Sequence, residues 1–387
     1  MTARFVDFPL RIVSPGFDSP LTDVVIELEH LRRLQLAGDT PAQIFFQLKE
    51  IFHTLESLGS ARIEGNHTTL ADYIETKIDG AQDAAADNIQ EVRNIEAAMD
   101  YLETAIATGD DITEHLIREL HQLTVQNLIR EGDQSPGRYR AGRVVITGAT
   151  HLPPGPESVP MYMEQLVAFI NSKDQPKYDL LKMALAHHRF CWIHPFGNGN
   201  GRVVRLLSYA MLIKYGFNVR AGGRVLNPTA VFCSDRNAYY ANLSAADEGS
   251  ESGLIQWCHY VLGGIKGELE KVDNLTRYEF LKTHVLRPAL AFSKARKLVT
   301  DQEAAILSMA IEKGEFKAAD VDTACPKLTP RQRTYQLAKL VEAHLVRSVR
   351  EGSRTYTINF TNNYLLRGVV QALEDCGFIP PLVRRAQ

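Results

Sequence analysis

The chain has only five cysteines among 387 residues: Cys191, Cys233, Cys258, Cys325 and Cys376. They are odd in number, widely spaced and form no CxxC pair, which argues against a disulfide framework and structural zinc. A reduced, cytoplasmic setting is the expectation. Long apolar runs are missing as well. The best, Leu206 to Ile213, is broken by Ser208 and falls far short of the roughly 20 residues that span a bilayer. Residues Met1 to Leu10 carry Arg4 and Asp7 and lack the apolar core of a signal peptide. No membrane partner is therefore expected. Net charge is nearly absent, with 43 Lys plus Arg against 46 Asp plus Glu, a formal −3. Nothing draws the whole chain to nucleic acid, so any such surface has to be local. Glycine (26) and proline (17) are too few for a collagen-like or low-complexity chain. At 45% hydrophobic and 23% charged, the composition is that of a globular protein, and the length predicts two or three domains.

Helical spacing dominates what is there. Between Pro41 and Glu64 the apolar residues Ile44, Phe45, Leu48, Ile51, Phe52, Leu55 and Leu58 share a face, with Pro41 in the first turn and Gly65 past the end. Asp87 to Ala107 and Ile112 to Leu128 read as further amphipathic helices, the latter capped by Asp111 or Thr113. Ser135-Pro136-Gly137 breaks the pattern, and Tyr139 to Thr147, rich in Val, Ile and Tyr, predicts a small β-hairpin flap. The prolines of His151 to Pro160 predict an extended loop. Helices resume at Met161–Asn171, Tyr178–Ile193 and about Arg202–Tyr215. Beyond residue 290 the units shorten. Helices at Gln302–Glu312, Ala318–Ala324 and Thr329–Ala343 precede two strands, Leu345–Arg350 and Arg354–Phe360, the order of a winged helix-turn-helix.

The most informative stretch is His194-Pro195-Phe196-Gly197-Asn198-Gly199-Asn200-Gly201-Arg202, followed by Arg205. A helix delivers His194 to its C-terminal end, and Pro195 stops it. Three glycines in five positions let the backbone turn tightly and expose its N–H groups at the start of the next helix, where an anion is favoured. Arg202 and Arg205, three apart, are neighbours on one helix face and can grip phosphate. His194 stands beside them as a candidate base. There is no GxxxxGK[ST], and helix rather than strand precedes the glycines, so the usual nucleotide loops do not apply. A bland alternative is a glycine-rich connector with a structural histidine.

This stretch resembles the signature loop of the Fic-domain family, H-x-F-x-(D/E)-G-N-G-R-x-x-R, and the likeness extends over roughly Thr40 to Tyr260. The resemblance implies transfer of AMP from ATP to a Ser, Thr or Tyr hydroxyl of a target protein or of the chain itself. His194 would be the base, Gly199, Asn200 and Gly201 the anion loop, Arg202 the polyphosphate ligand and Arg205 the γ-phosphate ligand, with Phe196 fixing the loop. Asn198 stands where the family has a carboxylate that helps hold Mg²⁺. A neutral amide oxygen is a weaker ligand for a hard cation, so Mg²⁺ is expected to arrive with ATP.

Ser60-Ala61-Arg62-Ile63-Glu64-Gly65 is similar to the family's inhibitory motif. A carboxylate at a helix C-terminus is unfavourable by ~0.3–1 kcal/mol unless a cation offsets it. The resemblance implies that Glu64 pairs with Arg205 and blocks the γ-phosphate, with Ser60 as its companion in the motif. The flap around Val144–Gly148 is either a docking edge for an extended target, with Val145 or Ile146 against adenine, or a plain ribbon. Tyr240 is the candidate adenine contact, with Tyr239 and Asp247 behind it, while His187 and His188 read as core or surface groups. In the C-terminal part, Arg331, Gln332, Arg333 and Lys339, with Arg347, Arg350 and Arg354, offer a basic face across 329–360 for DNA, or a docking module.

The expected fold is mainly α: a Fic-type helical core with a β-hairpin flap and a C-terminal winged helix-turn-helix domain. The expected divisions are an N-terminal helical region at 1–110 carrying the motif at 60–65, a core at 111–275, and the winged-helix domain at 290–387. Two alternatives remain in view: a DNA-binding regulator with a weakened core, and a related enzyme that removes AMP or uses another nucleotide donor.

Overall fold

The apolar face between Pro41 and Gly65 folds into one long helix in the computed structural model, which describes residues 3–33, 38–70, 72–73, 76, 86–217 and 228–378. Parts of each expected division, among them 218–227 and 379–387, lie outside those residues. Two compact units divide the chain. The first comprises Met1–Gln35, His53–Tyr73 and Gly80–Leu269, and the second Leu36–Phe52, Ile74–Asp79 and Glu270–Gln387. Most of residues 1–110 thus falls in one unit with residues 111–269.

The first unit holds α1 (Pro20–Arg33), the second half of α2 (Ala42–Ile63), α3 (Ala86–Ala105), α4 (Glu114–Val125), α5 (Val159–Asn171), α6 (Asp179–Ile193), α7 (Asn200–Lys214), α8 (Arg236–Ala246) and most of α9 (Glu251–Thr276). Helices α6 and α7 pack on each other and are buried on nearly every face. A helix buried all round belongs at the centre, and each fully buried Leu, Ile or Phe contributes about 1.5–3 kcal/mol there. Helices α5 and α4 flank this pair, and α3 packs on α4 and α7. Thr113, one of the two expected caps, accepts a hydrogen bond from the Leu116 N–H at 3.1 Å and opens α4.

The two buried histidines of α6 have partners. The Tyr239 hydroxyl donates to His187 Nε2 (2.9 Å), and His187 Nδ1 donates to Ser208 Oγ (2.8 Å). His188 Nε2 lies 3.1 Å from Asp247 Oδ1. Both histidines are therefore core groups, and both candidate adenine neighbours behind Tyr240 are occupied with them.

The expected hairpin is absent. Residues 139–150 form no strand ladder; the local bridge pairs Arg4 with His151 instead. The alternation of Val144, Val145 and Ile146 is real, with Val145 73% exposed, but a strand needs a partner, and this stretch is held by other means. Arg140 donates from its backbone N–H to Pro195 O (2.9 Å), and Ala149 closes a turn on Ile146 O (3.1 Å).

In the second unit, α10 (Arg287–Ala295) packs against α13 (Asn363–Asp375). Gly368 permits that approach, since a Cβ there would lie 2.7 Å from Ala289 O. Between them run α11 (Asp301–Lys313), β1 (Glu315–Lys317), α12 (Pro330–Glu342), β2 (Val346–Ser348) and β3 (Thr355–Ile358). The sheet order is β1-β3-β2, antiparallel throughout, with Phe316 opposite Tyr356 and Arg347 opposite Thr357. The two expected strands are present and β1 is an addition. Three residues are too few to show alternation in sequence, although Phe316 points inward and its neighbours outward. Gln47, buried on the first half of α2, donates to Ile358 O (2.9 Å) and accepts from the Phe360 N–H (2.8 Å), tying that helix to β3.

Candidate functional site

Helix α6 ends because His194 adopts a left-handed conformation (φ 50°, ψ 62°) and Pro195 follows. Gly199, at φ 74°, then opens α7 without any side-chain cap. The first N–H groups of α7 consequently have no local acceptor and favour an anion. Between the two helices the loop is closed by its own residues. The Phe196 N–H donates to Asn200 Oδ1 and Asn200 Nδ2 donates to Phe196 O, both at 2.9 Å. Phe196 is fully buried and stacks on His121, with ring centres 3.8 Å apart and planes 3° apart. Of the expected anion-loop residues, Asn200 therefore spends its side chain on closing the loop.

His121 holds the loop from α4. Its Nδ1 accepts from the Gly137 N–H (2.9 Å), so its Nε2 is the protonated nitrogen and donates to Asn198 O (3.1 Å). Burial lowers the His121 pKa to about 4, against the opposing pull of Asp133. Arg140 performs the matching task at the end of α6. Its guanidinium donates to His194 O (2.8 Å), Ile193 O (3.3 Å), Pro154 O (2.6 Å) and Gly142 O (2.9 Å), where helix carbonyls lack partners. The sequence reading missed both roles. The hint was Gly137-Arg138-Tyr139-Arg140, a cation just after a breaker, but nothing local says which carbonyls it meets.

Arg202 and Arg205 both approach the loop glycines, Arg202 Nη2 at 3.6 Å from the Cβ position of Gly199 and Arg205 Nη1 at 3.2 Å from that of Gly201. Arg205 is buried, and its Nε donates to Ser60 Oγ (2.8 Å) while its Nη2 donates to Ser60 O (2.9 Å) and Glu64 Oε1 (2.8 Å). Glu64 Oε1 also lies over Gly201, where an added Cβ would come within 2.0 Å of it. A carboxylate thus occupies the anion position at the start of α7. Burial pushes the Glu64 carboxyl up, but Arg205, Arg202 and His194 outweigh it and hold it below the usual carboxylate range. Burial, with Arg140 adding to it, brings His194 down to about 4, so its imidazole is neutral near pH 7. Arg202 is buried beneath the loop, with Nη1 3.0 Å from Glu91 Oε1 and Nη2 donating to Glu131 O (2.8 Å).

Asn198 is turned toward the segment 131–133. Its Nδ2 lies 3.3 Å from Gly132 O and 3.4 Å from Glu131 Oε2, its N–H donates to Asp133 Oδ2 (3.0 Å), and its Oδ1 accepts from the Gly199 N–H (2.7 Å). Tyr240 is 42% exposed, with its ring 5.3 Å from Tyr239 and Arg236 5.6 Å above it. Tyr239 is buried and sits behind it. Among the described residues no helix is long and apolar enough to cross a membrane.

Comparisons with known proteins bear on this geometry. Residues 111–212 match the model of the Fic/DOC family, a stretch that includes α4, α6, the loop and most of α7. Over 212 residues the chain is 32% identical to the protein adenylyltransferase Fic of Drosophila yakuba, covering 53% of this chain and 39% of that one. Over 234 residues it is 32% identical to the protein adenylyltransferase Fic of Aedes aegypti, covering 58% and 43%. The chain thus spans less than half the length of these curated relatives. A Fic family protein from Desulfovibrio desulfuricans G20 has a similar fold, with a TM-score of 0.54 at 22% identity over 91% of this chain and 98% of that one. Residues 111–212 are thus similar to the Fic/DOC family in sequence, and the chain resembles a Fic family protein in fold.

Proposed function

We propose that this chain transfers AMP from ATP to a Ser, Thr or Tyr hydroxyl of a target protein or of itself, and that Glu64 holds the reaction off. The observation that carries the reading is the position of the Glu64 carboxylate. It lies on Arg205 and over Gly201, at the helix start where phosphate is favoured.

In the reaction, neutral His194 accepts the proton of the attacking hydroxyl as its oxygen forms a bond to the α-phosphorus. The bond to the α,β-bridging oxygen breaks, and pyrophosphate leaves with the electron pair. Arg202 and Arg205 bind the polyphosphate and stabilise the charge that develops on it, and the backbone of Gly199, Asn200 and Gly201 supplies N–H donors. Positioning does most of the work in such transfers. Tyr240 flanks the adenine. Mg²⁺, which supplies neutralising charge, would arrive on the ATP phosphates, with Asn198 a weak ligand because its Oδ1 already accepts from the Gly199 N–H and its Nδ2 faces Glu131. The target lies along residues 144–148, an unladdered, partly exposed stretch whose Ile146 carbonyl is taken by Ala149 and whose other backbone groups make no strand ladder, which suits strand addition.

The test is transfer of α-phosphate label from ATP to protein by wild type, Glu64→Gly, and Glu64→Gly with His194→Ala, each with and without Mg²⁺. Label that rises in Glu64→Gly and disappears with His194→Ala supports the reading. A silent Glu64→Gly that still binds nucleotide points to removal of AMP or to another donor, and labelled donors tested side by side separate these.

The DNA-binding reading has smaller support. The C-terminal elements follow the order expected of a winged helix, but its basic face is partly spent. Gln332 closes a capping box with Thr329, Arg333 pairs with Asp322, Lys339 with Glu303 (2.9 Å), and Arg347 donates to Gln43 O (3.0 Å). Arg331, Arg350 and Arg354 are the exposed cations left for phosphates.

A further inference from the structure

The two loop arginines are held in different ways. Arg205 has three donor contacts committed to Ser60 and Glu64. Arg202, equally buried, faces the Glu91 carboxylate at 3.0 Å, yet neither its Nη1 nor its Nε makes a hydrogen bond. Glu91 therefore neutralises the Arg202 charge without spending those two donors. A buried guanidinium needs such a counter-charge, since an uncompensated ion in the interior is strongly destabilising. A carboxylate that took its N–H groups as well would compete with a phosphate for them.

Glu91 is itself fixed. It is 2% exposed on α3, and its other oxygen, Oε2, accepts from Asn66 Nδ2 at 2.8 Å. Asn66 follows directly on the Ser60–Gly65 segment and is bound on every side. Its N–H donates to Ala61 O (3.1 Å), its Nδ2 also donates to Asn88 O (2.8 Å), and its Oδ1 accepts from the Thr68 N–H (2.9 Å). A continuous path of buried polar contacts thus runs from the turn that carries Glu64, through Asn66 and Glu91, to Arg202.

We infer that Glu91 is a positioning residue that orients Arg202 for the polyphosphate of the nucleotide, and that Asn66 links it to the Ser60–Gly65 turn. That turn then acts on both arginines: on Arg205 directly through Glu64, and on Arg202 through Asn66 and Glu91. The inference rests on the ATP reading above and adds residues that touch no nucleotide in it.

Calorimetric titration of ATP, ADP and AMP into the full chain tests it, with Glu64→Gly as the parent. Glu91→Gln keeps the volume and an acceptor for Asn66 and removes the charge. Asn66→Ala leaves the charge and removes the link, and stands in if the first variant fails to fold. The expected result is a roughly tenfold loss of ATP and ADP affinity in Glu91→Gln, as for loss of a charge-assisted contact. AMP, which lacks the β- and γ-phosphates, is expected to bind as it does to the parent. Asn66→Ala is expected to show the same pattern more weakly. Unchanged ATP affinity in both variants overturns the inference, as does a parallel loss of all three nucleotides, which is what a merely structural role produces. A parent that binds none of the three overturns the ATP reading itself, and this inference falls with it.

Discussion

Glu64 and Arg205, far apart in sequence, meet at 2.8 Å above the start of α7. The carboxylate stands where backbone N–H groups and a guanidinium together favour an anion, so under the proposed function an external phosphate would contend with it for one place.

That contest has a stability signature. Removing Glu64 leaves Arg205 buried with only Ser60 to bond, so Glu64→Gly is expected to lower stability by about 1–3 kcal/mol, less than the loss of a fully buried pair. ATP should restore it, because the nucleotide supplies the missing anion. Urea unfolding with and without ATP checks both signs. A variant as stable as wild type, with no larger gain from ATP, contradicts the competition.

Ser60 takes two of the three hydrogen bonds that Arg205 makes, one through its hydroxyl and one through its carbonyl. Ser60→Ala removes the first alone. Transfer of label is expected to lie between wild type and Glu64→Gly, at a cost of about 1 kcal/mol in stability. Activity equal to that of Glu64→Gly would shift the main restraint from the carboxylate to the hydroxyl.

Gly201 has no room for a side chain, since a Cβ there would press on the Glu64 carboxylate. Gly201→Ala should displace Glu64 and at the same time fill the place a phosphate takes. Transfer is expected to stay off even in a Glu64→Gly background, where Gly201 faces no carboxylate. Label appearing in that double variant would mean the phosphates lie elsewhere.

Histidine burial sets a pH window. His121 and His194 are both held near 4 by burial, against about 6.5 in the unfolded chain. Between those values the unfolded chain binds protons that the folded chain refuses, so stability falls as pH drops through the window and levels off below it. Glu64 acts lower down. Its carboxyl is held below the usual range, so its contribution is present above the ordinary carboxylate pKa and lost as pH falls through the folded value. Urea midpoints between about pH 7.5 and pH 4 test this. His121→Gln should show a shallower fall than wild type, and an identical slope would remove His121 from the account.

The helices and the loop were legible in the chain's own residues. Apolar spacing drew α2, because periodicity is a local property that burial then rewards, while α6 and α7, buried on nearly every face, were bounded by the breakers around the loop. Pro195 and three glycines fixed where α6 stops and where α7 exposes its N–H groups, because proline and glycine act on their own backbone. The Glu64–Arg205 pairing was legible only through resemblance to a family, since no spacing connects residues so distant. The remaining features came from packing. Val144 to Ile146 alternate like a strand, yet without a partner they form none. Three residues at Glu315–Lys317 carry almost no pattern, yet they pair because β3 lies beside them. Arg140 beneath His194, His121 against Phe196, and Glu91 with Asn66 behind Arg202 all depend on which helices pack together. A polar side chain in isolation does not specify its partner. Only the packed fold brings that partner within reach and excludes the water that would otherwise replace it.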